Sequence, residues 1–184
     1  GELLEPWNLL LPVGISFYTF QSISYITDVY RREVPAETSL ANFGAYLTMF
    51  PQLIAGPIIK YRELREEMRS RRATFAQLDQ GLRLFTLGLG LKVLLANQIG
   101  NFWSDIQAIG YESISTPVAW MGIFAYSFQL YFDFYGYSMM AIGLGRIMGF
   151  TIPQNFDHPY ESLSMTEFWR RWHMTLGSWF KEYV

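Results

Sequence analysis

Few side chains in this sequence are equipped for acid–base chemistry, and their neighbours narrow the choice further. There are only two histidines and no cysteine. Thiolate metal sites, disulfide scaffolds and Cys nucleophiles are therefore excluded, and two distant histidines are not a metal-ligand set. His158 lies in the turn-rich stretch Gln154–Tyr160, between Pro153 and Pro159, and reads as a loop residue at a membrane surface. His173 sits in a different setting. Ser164-Met165-Thr166-Glu167 fits a capping box, which predicts a helix from Met165 to the end of the chain. On such a helix Trp169, Arg170, His173, Leu176, Gly177 and Phe180 recur at three- and four-residue spacing and share one face. An imidazole with an ordinary pKa near 6.5 can take a proton from a hydroxyl near neutral pH. The same spacing also suits a hydrogen-bonded core histidine or an interfacial belt of Trp and Arg.

Asp133 is the other anomaly, because it stands in the apolar run Leu130–Tyr135. An acid there needs a partner, a cavity or a cap. Ser127 and Gln129 lie close enough on the same segment to help build a polar pocket. Gly88-Leu89-Gly90-Leu91-Lys92 has only a superficial likeness to a phosphate loop, since neither the glycine spacing nor the following Ser or Thr is present. Its glycines read as helix-packing positions.

The segments that would have to hold these residues are largely apolar. The 184 residues are 51% hydrophobic, 18% aromatic and 16% charged, with a net charge of −2. That composition excludes a disordered chain and gives no basic face for nucleic acid. A polytopic membrane protein with polar residues packed inside fits best, and a soluble all-α domain fits less well. No Lys or Arg occurs between Lys92 and Arg146, whereas Lys60, Arg62, Arg65, Arg69, Arg71 and Arg72 cluster upstream. A cation-free window between cationic clusters is what insertion into lipid requires, because Lys or Arg costs about 2.5–3.5 kcal/mol at mid-bilayer on insertion scales.

Two spans are expected in that window, about Leu84–Trp103 and about Val118–Met148. The second exceeds the ~20 residues a crossing needs, so it should tilt, bend or break. Its Gly136, Gly143 and Gly145 suit close helix approach. Lys92 would have to snorkel or face protein. The connector Ser104–Pro117 has acids but no cation and should face outward, with Lys60–Arg72 in the cytoplasm. Leu9–Tyr30 is a third candidate span. Asn42–Ile59 has basic flanks on both sides and two prolines, which suggests a re-entrant hairpin. Tyr61–Arg72 reads as an amphipathic surface helix, either solvated or lying on anionic headgroups.

Four stretches carry a resemblance: Leu11–Arg31, Phe50–Lys60, Phe128–Tyr160 and, most specifically, Glu167–Tyr183 (EFWRRWHMTLGSWFKEY). They resemble the membrane-bound O-acyltransferase (MBOAT) family, and more closely its bacterial branch serving alginate and exopolysaccharide O-acetylation. Tyr135 and Met139 depart from that branch, which has Ser and Asp there, while Asp133 is kept. His158 stands where the branch has Tyr, so it inherits no role.

The resemblance implies an all-α, multi-pass bundle around a tunnel in the bacterial inner membrane. An acyl group would enter from the cytoplasm and leave on a hydroxyl of an extracytoplasmic polysaccharide. It matches His173 to one of two polar site positions and places the second, a histidine, beyond Val184. Residues 1–184 are thus expected to be an internal part of one such domain, inactive alone. Arg170 and Trp172 would hold His173 or bind the acceptor, with Asp133 a further substrate contact. No metal or cofactor is implied; an acyl donor such as acyl-CoA is the co-substrate. Expected partners are the lipid bilayer, the donor, the polysaccharide and a periplasmic acetyltransferase, with no nucleic acid. D-alanyl transfer to teichoic acid and a non-catalytic scaffold or transporter are the alternatives.

Overall fold

The computed structural model describes residues 14–53, 56–110 and 112–184. Every regular element among them is helical, and the only strand-like pairing is one isolated antiparallel bridge between Phe156 and Trp172. The helices are α1 (Ile15–Tyr30), α2 (Leu40–Leu47), α3 (Phe50–Leu53), α4 (Tyr61–Ser70), α5 (Phe75–Gly90), α6 (Asn97–Ile109), α7 (Thr116–Ile147), α8 (Met165–Arg171) and α9 (Met174–Tyr183). A π-helical stretch, Leu91–Ala96, joins α5 to α6 without a break.

The starts of these helices follow from local chemistry. Ser39 accepts a hydrogen bond from the Asn42 amide, satisfying one of the free donors at the start of α2. Thr74 and Gln77 form a reciprocal capping box on α5. Pro117 sits in the first turn of α7, where its missing N–H costs nothing.

The α5–α7 pair is the spine of the molecule. A Cβ added at Gly143 would meet the Gly81 carbonyl oxygen at 2.6 Å, and one at Gly88 would meet the Gly136 carbonyl oxygen at 2.5 Å. Two glycine pairs thus let the backbones touch; of the Gly88–Lys92 run, Gly88 is a packing position, whereas Gly90 faces open space. Further along the seam, Gly100 faces Gln129 and Gly122 faces Trp103. Phe75–Ile109 is the one helix among the described residues that is long and apolar enough to cross a membrane by length and composition. α7 has the length, but its tyrosines, Gln129 and Asp133 keep it less apolar. Its outer side presents Trp120, Met121, Ile123 and Phe124.

The structure sharpens several sequence expectations. Of the expected tilt, bend or break, α7 does not break: it is one 32-residue helix. The connector Ser104–Pro117 is shorter than expected, because α6 runs on to Ile109 and α7 begins at Thr116. The Asn42–Ile59 segment contains two short helices with a break at Thr48–Met49, then extended chain from Pro57 to Lys60; Ile54 and Ala55 lie outside the described residues. Of the Leu9–Tyr30 segment, Leu9–Val13 also lie outside them. The expected single helix from Met165 is interrupted at Trp172–His173, where the backbone turns left-handed.

A compact core closes the other end, built from Val34, Tyr46, Ile59, Tyr61, Leu64, Phe150 and Ile152. The Tyr46 hydroxyl there donates to the Ile59 carbonyl at 2.9 Å, and the Gln52 amide donates to the Tyr46 carbonyl at 2.7 Å.

Candidate functional site

The site is built around the break between α8 and α9. Ser164 accepts from the Glu167 amide, and the Glu167 carboxylate reaches back to the Leu163 amide rather than to that of Ser164. α8 then ends at Arg171, and His173 adopts φ 45° and ψ 53°. A left-handed non-glycine residue costs of order 1–3 kcal/mol and persists only where its surroundings hold it.

The surroundings that hold it are the extended strip 155–157. The Asp157 amide donates to the Arg171 carbonyl at 2.9 Å, and the Met174 amide donates to the Asn155 carbonyl at 2.9 Å. Asn155 is buried, and its side-chain oxygen also accepts from the Thr175 hydroxyl at 2.9 Å and amide at 3.3 Å. Thr175 in turn accepts from the Ile58 amide at 3.0 Å. Two hydrogen-bonded flanks therefore clamp the residue between them.

α9 is fixed along its length. Trp179 donates to the Phe20 carbonyl at 3.1 Å, and Tyr183 donates to buried Asp28 at 2.8 Å. Glu182 is ion-paired to both Lys60 and Arg62. The carboxylates of Asp28, Glu33 and Glu182 offer oxygens within 4.8 Å of one another. Arg62 also pairs with Glu33, so this cluster is an ion-pair network with its cations already in place.

The imidazole of His173 lies edge-on to the Phe134 ring, with centroids 4.8 Å apart. Its Nε2 is buried and has no hydrogen-bond partner among the described residues. An orphaned buried polar atom is expensive and asks for a ligand or a function. Beside it is a pocket of about 330 Å³ lined by Trp169, Trp172, His173, Leu176, Gly177 and Phe180. Five of these residues share the helical face expected from their spacing; the break brings Trp172 into that group and leaves Arg170 out. Trp172 is wedged among Tyr131, Phe134, Phe156, Tyr160 and Phe168. Arg170 is exposed and forms no ion pair among the described residues.

Asp133 is ion-paired with Lys92, across the α7 seam from the π-helical stretch. The two charges that stand deep in the apolar segments, away from their ends, thus answer each other. His158 is exposed, also left-handed, and touches only Asp157 among charged groups. It has no place in the site.

Sequence reasoning missed Asn155, Phe134 and the Lys92 partnership. Only the last left a signal: two opposite charges, each isolated in an apolar helix, lower one another's cost by pairing. On the polar side of the molecule, Tyr61 donates to Glu37 at 2.6 Å. That bond and the Ser39 amide hold the Glu37 carboxyl down at about 2, and burial pushes the Tyr61 hydroxyl up to about 12.

The described residues thus combine an all-helical architecture, one helix long and apolar enough to cross a membrane, and a half-buried histidine at a strained helix break. The model of the membrane-bound O-acyltransferase family matches residues 31–184, and the chain belongs to that family. It is 46% identical over 98% of its length to a protein of Pseudomonas fluorescens named probable alginate O-acetylase AlgI, of which it covers 37%. It is 37% identical to the peptidoglycan O-acetyltransferase of Helicobacter pylori, covering 98% of this chain and 39% of that one. The teichoic acid D-alanyltransferase of Streptococcus thermophilus is 34% identical, over 96% of this chain and 44% of that one. The chain therefore spans less than half the length of these relatives.

Proposed function

We propose that the whole protein is a multi-pass O-acyltransferase of the bacterial inner membrane. It moves an acetyl group from a cytoplasmic donor such as acyl-CoA to hydroxyls of an extracytoplasmic polysaccharide, with alginate-type polymers as the acceptor class. The observation that carries this reading is the buried, unpartnered Nε2 of His173 at the α8–α9 break.

In this mechanism His173 orients or assists a second histidine in the remainder of the protein. The acceptor hydroxyl gives up its proton to imidazole as its oxygen bonds to the donor's carbonyl carbon. The tetrahedral intermediate then collapses, the donor's leaving group departs, and it takes the proton from the imidazolium. The aromatic walls supplied by Phe134, Trp169 and Trp172 exclude water, which strengthens these electrostatic terms and suppresses hydrolysis of the donor. Arg170 and Trp172 serve the acceptor side, and Asp133 with its Lys92 partner forms the α7 wall of the passage. A periplasmic acetyltransferase receives the group where the acceptor is distant.

Within the bilayer, Phe75–Ile109 and α7 cross as an antiparallel pair, the cationic helix α4 lies on the cytoplasmic surface, and Asn42–Ile59 re-enters from that side. The test uses purified full-length protein in liposomes with radiolabelled acetyl-CoA. Label transferred to alginate supports the reading. Transfer of D-alanine to teichoic acid, or movement of an unmodified substrate, would replace it.

A further inference from the structure

We propose that Lys92 and Asp133 together position His173. Their ion pair sets the rotation of α7 against the α5–α6 helix, and so sets where Phe134 stands against the imidazole. The proposal rests on the acyltransferase reading above. It begins with the π-helical stretch Leu91–Ala96. Gly88, Lys92 and Gly100 all meet α7, at Gly136, Asp133 and Gln129, and Ala96 between them is buried. These positions follow one another in three successive steps of four. In a pure α-helix each such step overshoots a full turn by about 40°, so the last residue would point about 120° away from the first. The wider π turn takes up the excess and keeps the four positions on one seam. The irregularity thus has a definite product: it keeps Ala96 and Gly100 on the seam that Lys92 opens at Asp133.

Asp133 is followed by Phe134, whose ring touches His173 at 4.8 Å, Trp172 at 6.3 Å and Phe156 at 5.0 Å. Tyr131 and Tyr135 stack on one another and reach Phe156 from the same helix. The glycine pairs bring the α5 and α7 backbones together but supply no directional group. The ion pair is the directional contact between the two helices at this level, and rotating α7 moves the Phe134 ring away from the imidazole.

The experiment uses the full-length protein in liposomes, with Lys92→Met, Asp133→Asn and the exchange Lys92→Asp/Asp133→Lys. Two quantities are read: kcat and KM for labelled acetyl transfer, and the rate of diethyl pyrocarbonate modification at His173, followed by peptide mass. Each single variant is expected to lower kcat by about 100-fold, the cost of a misplacement near 1 Å, with KM for the donor unchanged. Each should also change the modification rate of His173. The exchange should restore the modification rate. Where a single variant does not fold, the exchange variant decides, because it keeps the pair and should leave His173 as reactive as in wild type. Wild-type kcat and modification rate in the folded single variants would overturn the inference, as would an exchange variant that folds but leaves His173 altered. If wild-type protein transfers no acetyl group, the acyltransferase reading fails, while the modification rates still decide whether the pair positions His173.

Discussion

The two histidines of this chain share a backbone conformation and little else. His158 has φ 44° and His173 φ 45°. His158 is exposed on a turn, whereas His173 is half-buried against Phe134 and held by the 155–157 strip. Replacement by glycine separates the roles. His158→Gly removes the Cβ penalty of the left-handed region and should stabilise the protein by up to about 1 kcal/mol, with acyl transfer unchanged. Thermal unfolding and turnover of that variant check both statements. Glu37 gives a pH prediction. Its carboxyl falls from an ordinary value of 4.5 to about 2 in the fold, so the folded state binds fewer protons than the unfolded one between those values. The contribution of the Glu37–Tyr61 bond is therefore complete above about pH 4.5 and is lost as pH falls towards 2. Glu37→Gln should lose the corresponding part of the acid sensitivity, seen as a flatter dependence of the unfolding midpoint on pH in that window.

At the scale of elements, the sequence pattern predicted most helices but not where they bend. The apolar runs around Leu84–Trp103 and Val118–Met148 lie inside the observed helices because burial or lipid favours continuous backbone pairing. The break at Trp172–His173 was not legible. Periodicity is continuous through it, and the turn is imposed by hydrogen bonds to Asn155 and from Asp157, which lie 15 to 18 residues upstream. The π stretch was invisible for a similar reason: it depends on the register of α7, a tertiary partner. The glycine seam was largely legible, since Gly88, Gly136 and Gly143 stood out; the structure supplied Gly81 and turned Gly145 towards Ile152 instead. Gly88→Ala and Gly143→Ala would push a Cβ into backbone oxygen 2.5–2.6 Å away. Each should destabilise the folded protein by about 1–3 kcal/mol through overpacking. Gly44→Ala meets nothing within 4 Å and should instead stabilise by about 1 kcal/mol, the helix preference of Ala over Gly. Detergent-solubilised unfolding of the three variants gives the comparison.

At the scale of the molecule, charge and apolarity divide the chain into an ion-paired end and an apolar end. Lys60, Arg62, Glu33, Glu37 and Glu182 gather with α4, while α6 carries exposed Phe102 and Ile109 and the first half of α7 exposed Trp120, Ile123 and Phe124. The fold class and the apolar segments were therefore readable from composition and cation distribution. The site was only half readable: His173 stood out by residue type and neighbours, while its orientation depends on contacts distant in sequence. The proposed topology puts α4 and the α6–α7 connector on opposite faces of the bilayer. Single cysteines placed at Arg65 and at Glu112 should react with a membrane-impermeant thiol reagent only from opposite sides of oriented vesicles. Labelling of both from one side would remove the crossing by Phe75–Ile109.

The central claim is that the imidazole at the α8–α9 break takes part in acyl transfer. Its most direct test is the turnover of His173→Gln in the full-length, membrane-embedded protein, with labelled acetyl donor and polysaccharide acceptor. The account predicts a fall in kcat of about 10²–10⁴-fold, the range for loss of a positioned acid–base group, with the unfolding midpoint unchanged. Wild-type turnover in that variant would contradict it.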